Sequence, residues 1–201
     1  MVSIIDYGAG NIKSVESAVR YLGHDVVLTR DPEVLLSSDH CILPGVGAFG
    51  VAMERLKHYG LDEVIREIVK REIPLLGICL GLQLLFESSE ESPGAEGLGI
   101  LKGRILRIPD TDGRKVPQIG WNDLSYPAQG RLFQGLPEGT YVYFVHSYYL
   151  RAEDPSIVTA RTEYGVSIDA AVESGSVMAC QFHPEKSESA GMRILENFLR
   201  I

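Results

Sequence analysis

Cysteine, histidine and glutamate are the side chains in this chain whose spacing can support nucleophilic catalysis. Cys79 lies in Gly77-Ile78-Cys79-Leu80-Gly81, a thiol version of the Gly-x-Ser-x-Gly elbow, preceded by an apolar run and followed by a helix-period segment. Glycines on both sides allow a tight strand-to-helix turn that lifts the nucleophile off the end of a sheet. At a helix N-terminus, unpaired N–H groups and the helix dipole favour thiolate over thiol. Most free cysteines are small buried core residues, and that is the reading for Cys41 and Cys180. The elbow sets Cys79 apart as a catalytic nucleophile.

A base and its orienter stand near the other end, in Cys180-Gln-Phe-His-Pro-Glu185. Pro184 biases His183 toward an extended conformation, where residues two apart point the same way. Glu185 can then accept a hydrogen bond from one ring nitrogen of His183, leaving the other to take the proton of Cys79. His-Pro-Glu alone is a weak signal; joined to a cysteine elbow it completes a nucleophile, base and orienter. His24, His40 and His58 have no such company and are read as structural.

The run Gly45-Val-Gly47-Ala-Phe-Gly50 matches G-x-G-x-x-G ahead of a helix, so dinucleotide binding is the alternative class. Against it, the loop follows the third strand rather than the first of a βαβ unit, and Pro44 leads into it. Glu63 and Glu67, where an acidic ribose partner might fall, sit in a helical pattern that solvent exposure explains. The same glycine backbone can aim N–H groups of Val46 and Gly47 at the oxyanion of a tetrahedral intermediate, with the N–H of Leu80 completing the hole. A non-catalytic binding module and a stand-alone thiol hydrolase are the other readings.

The elements that must position these groups follow from periodicity. Segments 2–7, 25–29, 41–43 and 74–79 are short apolar runs, alternating with helix-period segments 11–22, 50–59, 61–71 and 80–88. This predicts an α/β fold, doubly wound around a mostly parallel, flavodoxin-like sheet. Segments 42–43 and 75–78 are continuously apolar, as in strands covered on both faces. From Leu101 onward strand-like stretches at 104–108, 141–150, 157–162 and 177–182 predict an antiparallel extension of the sheet, and 190–199 has helical spacing.

With 201 residues and 45% hydrophobic side chains, one well-buried domain over residues 1–201 is expected. The net charge of −8 argues against a nucleic-acid surface. The first residues lack a basic n-region and an apolar h-region, and no run approaches a membrane span, so a cytoplasmic protein is expected. The cysteines are odd in number, widely spaced and without a C-x-x-C pair, which suits neither a disulfide framework nor structural zinc.

Together, Pro44-Gly-Val-Gly47, Gly77-Ile-Cys-Leu-Gly-Leu-Gln83 and Phe182-His-Pro-Glu-Lys186 resemble the class I glutamine amidotransferases, specifically the glutaminase subunits of imidazole glycerol phosphate synthase. Asp6-Tyr-Gly-Ala-Gly-Asn11, Gln118-Ile-Gly-Trp-Asn122 and Tyr143-Phe-Val-His-Ser-Tyr148 extend the resemblance along the whole chain. Leu82 stands where the anthranilate and carbamoyl phosphate amidotransferases tend to have His, which favours the histidine-pathway subunit; Ser147 stands where other members often carry Thr.

The resemblance implies that Cys79 attacks the glutamine side-chain amide, that ammonia leaves, and that a glutamyl thioester is hydrolysed, with His183 as base and then acid. Gly47, Gln83, His146, Ser147 and Tyr148 would hold glutamine. No cofactor is implied. The ammonia would pass to a separate cyclase subunit in a heterodimer, faced by Asn11, Trp121, Tyr143 and Lys186. It also implies near-silence until the cyclase binds its nucleotide substrate, with a backbone N–H near Val46 reorienting.

Overall fold

The computed structural model describes residues 1–8, 12–110 and 113–201. The first half alternates strand and helix: β1 (Val2–Ile5), α1 (Ile12–Tyr21), β2 (Val26–Thr29), α2 (Pro32–Leu36), β3 (His40–Leu43), α3 (Phe49–His58), α4 (Leu61–Lys70), β4 (Leu75–Ile78) and α5 (Leu80–Leu84). The second half is mainly strand: β5 (Ser88–Ser89), β6 (Gly103–Arg107), β7 (Gln118–Leu124), β8 (Thr140–His146), β9 (Tyr148–Ala152), β10 (Val158–Glu163), β11 (Ser167–Ser174) and β12 (Val177–Cys180), closed by α6 (Glu188–Leu199).

A seven-stranded sheet runs in the order β10-β11-β12-β4-β3-β1-β2. Its inner strands β12 and β4, and β3 from Cys41 on, are apolar without alternation because successive side chains enter opposite layers, both of them buried. Cys41, Leu43 and Leu75 pack on one side with Phe49, Leu56, Ile65 and Ile68 of α3 and α4. Ile42, Leu76 and Ile78 pack on the other with Val15 and Val19 of α1 and Ile194, Leu195 and Phe198 of α6. The helical residues recur at three- and four-residue intervals, which is why each helix buries one stripe. A Cβ at Gly191 would overlap the Pro184 carbonyl oxygen, so α6 lies in backbone contact with the short 3-10 turn Pro184–Lys186.

The antiparallel extension is present but differs from expectation in its members. Strands β10 and β11 are antiparallel to their neighbours, whereas β12 pairs parallel with β4, Cys180 beside Ile78. The 104–108 stretch, as β6, joins β5 and β9 in a separate sheet, and 141–150 breaks at Ser147 so that β8 instead forms a ribbon with β7. Period-2 alternation identifies a half-buried strand without naming its partner. Strands β5, β7 and β11 and the helix α2 are additional, and the helix expected over 80–88 ends at Leu84, with Ser88 in β5; α2, five residues capped by Asp31 with Pro32 at its first position, is too short to show a period. No helix among the described residues is long and apolar enough to cross a membrane.

Candidate active site

Because β4 and β12 are adjacent and parallel, the segments leaving their carboxyl ends emerge side by side, the place where doubly wound sheets bind ligands. Cys79 leaves β4 with φ +56° and ψ −108° before α5 begins at Leu80. Such a conformation costs a non-glycine residue roughly 1–3 kcal/mol and persists only where its surroundings enforce it. Here the Cys79 N–H donates to the Cys180 carbonyl at 2.8 Å. A Cβ at Gly81 would overlap the Leu43 carbonyl oxygen, so only glycine lets α5 turn in this closely. The Sγ atom lies 3.7 Å from the Gln181 side-chain amide and 3.9 Å from the Val145 carbonyl.

His183 follows β12 and is fixed by main-chain bonds. Its N–H donates to the Tyr143 carbonyl at 2.9 Å, and its own carbonyl accepts from Ser187 Oγ at 2.7 Å. Ser187 Oγ also accepts the Tyr143 N–H at 2.9 Å, so β8 and the turn after β12 clamp the histidine from both sides. Nδ1 donates to Glu185 Oε1 at 2.8 Å, with the two side chains 2% and 1% exposed. That bond fixes the tautomer and leaves Nε2 for Cys79. Among the described residues Nε2 has no hydrogen-bond partner of ordinary geometry. Catalytic hydrogen bonds are often loose before substrate arrives.

Burial works against a proton on His183, but the neighbouring sulfur of Cys79, as thiolate, and the hydrogen-bonded carboxylate of Glu185 outweigh it and push the ring up to about 9. A ring that holds its proton this firmly is suited to keep the one the thiol gives up. Since the folded pKa lies above the ordinary 6.5, the stability this proton contributes is complete below about 6.5 and is lost as pH climbs through about 9. In Glu185→Gln, the loss of one raising partner should bring the His183 titration down, read from its ring resonances by NMR. A midpoint unchanged from the wild type would remove Glu185 as the orienter.

Cys79, His183, Val46, Gly47, Leu80, Gln83, His146, Ser147 and Tyr148 all line one cavity of about 310 Å³, together with Glu91, Pro117 and Val145. A wider groove of about 960 Å³ between α1 and α6 reaches Glu185 but neither Cys79 nor His183, so the chemistry singles out the smaller cavity. Within its wall, His146 has Nδ1 2.8 Å from the Tyr148 carbonyl and Nε2 3.0 Å from the Gln118 side chain. Burial, opposed by the Tyr148 bond and reinforced by the charge of His183, brings this ring down to about 4, so it is neutral.

The glycine loop faces the cavity with Val46 and Gly47, and Gly47 has φ +103°. The Tyr7 hydroxyl donates to the Pro44 carbonyl at 2.8 Å, and the Leu80 N–H donates to the Gly45 carbonyl at 3.3 Å. A pyrophosphate would need the first N–H groups of α3. Those of Phe49 and Gly50 are taken by the Glu91 carboxylate at 2.8 Å and Ser92 Oγ at 3.0 Å, so a carboxylate already occupies the anion's place.

Two polar groups at the site went unread in the sequence. Glu91 sits in an acidic stretch that reads as solvated surface. Glu185 meets His183 from the 3-10 turn Pro184–Lys186 and not through the extended alternation expected, whereas Gln181, fully buried, stands two residues before His183 where an extended chain would turn both side chains the same way. On the outer surface Trp121 and Tyr143 are cross-strand partners on β7 and β8, edge to face at 6.0 Å, and Lys186 Nζ lies 6.0 Å from the Tyr143 ring centre. Trp121 is 46% exposed and is no core residue. Asn11 lies outside the described residues.

A strand-to-helix cysteine turn beside a buried histidine-carboxylate pair on this sheet is an arrangement suited to thiol attack on a carbonyl carbon. Residues 3–201 match the family model "Glutamine amidotransferase class-I". The chain belongs to that family and, within it, to the HisH subunits of imidazole glycerol phosphate synthase. It is 48% identical to "Imidazole glycerol phosphate synthase subunit HisH" of Dehalococcoides mccartyi strain CBDB1, over all of this chain and 97% of the relative. Its identity to the subunit of the same name in Methanothermobacter thermautotrophicus is 49%, over all of this chain and 98% of the relative. A solved structure described as a glutamine amidotransferase superposes with a TM-score of 0.77 at 25% identity, covering 99% of this chain and 97% of that one.

Proposed function

We propose that this chain, a single amidotransferase domain over residues 1–201, hydrolyses glutamine through a Cys79-His183-Glu185 triad. It is the glutaminase subunit of imidazole glycerol phosphate synthase and supplies ammonia to a separate cyclase subunit in histidine biosynthesis. The observation that carries the triad is the convergence of Cys79 and a Glu185-oriented His183 on one cavity wall, from the carboxyl ends of neighbouring parallel strands.

Cys79 Sγ attacks the δ-carbonyl carbon of glutamine while its proton moves to His183 Nε2. Backbone N–H groups at Leu80 and at Val46 or Gly47 meet the oxyanion. The tetrahedral intermediate collapses, the C–N bond breaks, and His183 returns the proton to the departing ammonia. Water, deprotonated by His183, then attacks the thioester carbonyl, and glutamate leaves as the thiol is restored. The Glu91 carboxylate on the cavity wall suits the α-ammonium of glutamine. Trp121, Tyr143 and Lys186, with Asn11, form the face toward the cyclase, and the heterodimer works in the cytoplasm.

Incubation with a glutamine-analogue electrophile, followed by peptide mass spectrometry, should give one adduct on the peptide containing Cys79, suppressed by excess glutamine. Adducts confined to Cys41 or Cys180 would overturn the assignment.

A further inference from the structure

Gln181 is fully buried, lines no open surface and has no part in the triad, yet its side-chain amide nitrogen lies 3.7 Å from Cys79 Sγ. Which end of that amide faces the sulfur is settled by a neighbouring carbonyl. Gln83 approaches the Tyr148 main-chain carbonyl at 3.1 Å, and a carbonyl only accepts, so Gln83 must turn its NH2 toward it. The second hydrogen of that NH2 points to Gln181 Oε1 at 3.0 Å. With its oxygen so engaged, Gln181 has only its NH2 left for Cys79. The order runs one way: Tyr148 carbonyl, Gln83, Gln181, sulfur.

We infer that Gln181 is a further catalytic group, whose amide N–H donates to Cys79 Sγ and stabilises the thiolate over the thiol. The inference rests on Cys79 being the nucleophile. A fully buried donor held 3.7 Å from a sulfur interacts more strongly with an anion than with a neutral thiol, because charge-assisted hydrogen bonds are roughly twice as strong as neutral ones. The five-residue helix α5 offers only a short dipole to the same end, which leaves a local donor more to do. The relay also restricts Gln83. Both its amide hydrogens are committed, so it presents only its carbonyl oxygen to substrate and meets a donor there, an ammonium or carboxamide N–H.

The test is the pH dependence of iodoacetamide alkylation at Cys79, followed on its own peptide, in wild type, Gln181→Glu and Gln181→Leu. Gln181→Leu removes the donor without adding charge, whereas Gln181→Glu keeps the size and the acceptor for Gln83 but puts a carboxylate beside the sulfur. The alkylation midpoint should rise in Gln181→Leu and further in Gln181→Glu, with kcat for glutamine falling roughly 10-fold or more and KM little changed. The further rise in Gln181→Glu follows from the added like charge alone, so the deciding arm is Gln181→Leu, where a merely structural role predicts no rise. Midpoints equal to wild type in folded variants would overturn the inference while leaving Cys79 as nucleophile; absence of any Cys79 label in wild type would instead overturn the underlying reading. Should both variants fail to fold, the Gln181 side-chain NH2 resonances of the unaltered protein decide: they must shift with the titration of Cys79, and indifference to it refutes the bond.

Discussion

Replacing Cys79 with alanine is expected to abolish glutamate release, a loss of more than about 10⁴-fold in the assembled enzyme, in line with nucleophile removal in enzymes that act through a covalent intermediate. No other thiol can substitute. Cys41 and Cys180 are fully buried and line no part of the cavity, and burial pushes the Cys41 thiol up to about 12 and that of Cys180 well above its ordinary value. Alanine keeps the Cβ and therefore the same strained turn, and it leaves the Cys79 N–H bond to Cys180 intact, so folding and partner binding should survive. Ammonia supplied directly should still reach the cyclase reaction in the variant complex. Measurable glutamate release from folded Cys79→Ala protein would dismiss the thioester mechanism, whatever the sequence resemblance.

The elbow and its partners were legible because their local rules are strong. Glycine at 81 is demanded by the Leu43 carbonyl oxygen, which a Cβ would overlap, a strand-to-helix switch shows as a change of period, and Pro184 keeps His183 itself extended, although Glu185 reaches the ring from the 3-10 turn Pro184–Lys186 and not by strand alternation. The parallel strands were legible for the same reason: two buried faces leave no polar residue in 75–78. Strand partnership was not. The break at Ser147, which sends β8 to a ribbon with β7 and β9 to a sheet with β6, depends on contacts far away in sequence. Nor did β11 stand out, since Ser167–Ser174 centres on alanines flanked by Asp169 and Glu173, and only the Arg161–Asp169 pair and burial between β10 and β12 make it a strand. Glu91 was hidden by an acidic neighbourhood, although its carboxylate caps the N–H of Phe49.

Glutamate release by the isolated chain is expected to be low, and to rise about 10²–10³-fold when the cyclase subunit and its nucleotide substrate are added together, the magnitude carried by an oxyanion-hole donor. The physical reason lies in the Leu80 N–H. A donor that must meet a developing oxyanion is here directed to the Gly45 carbonyl at 3.3 Å. Tyr7 holds the preceding Pro44 carbonyl, so a rearrangement is confined to the peptides of Gly45, Val46 and Gly47. Gly47 already has φ +103° and a Cβ there would touch nothing, which makes rotation at this point sterically cheap. The candidate partner face is joined to the site by main-chain hydrogen bonds. Tyr143, paired with Trp121 and lying under Lys186, accepts the His183 N–H through its carbonyl and donates its own N–H to Ser187. Pressure on that face therefore reaches the histidine through one residue. The measurement is steady-state glutamate production by the chain alone, with the cyclase, and with cyclase plus nucleotide. Equal release in all three would remove the gate and leave the Cys79 chemistry standing. A rise with the cyclase alone would place the trigger in docking at Trp121, Tyr143 and Lys186 rather than in nucleotide binding across the interface.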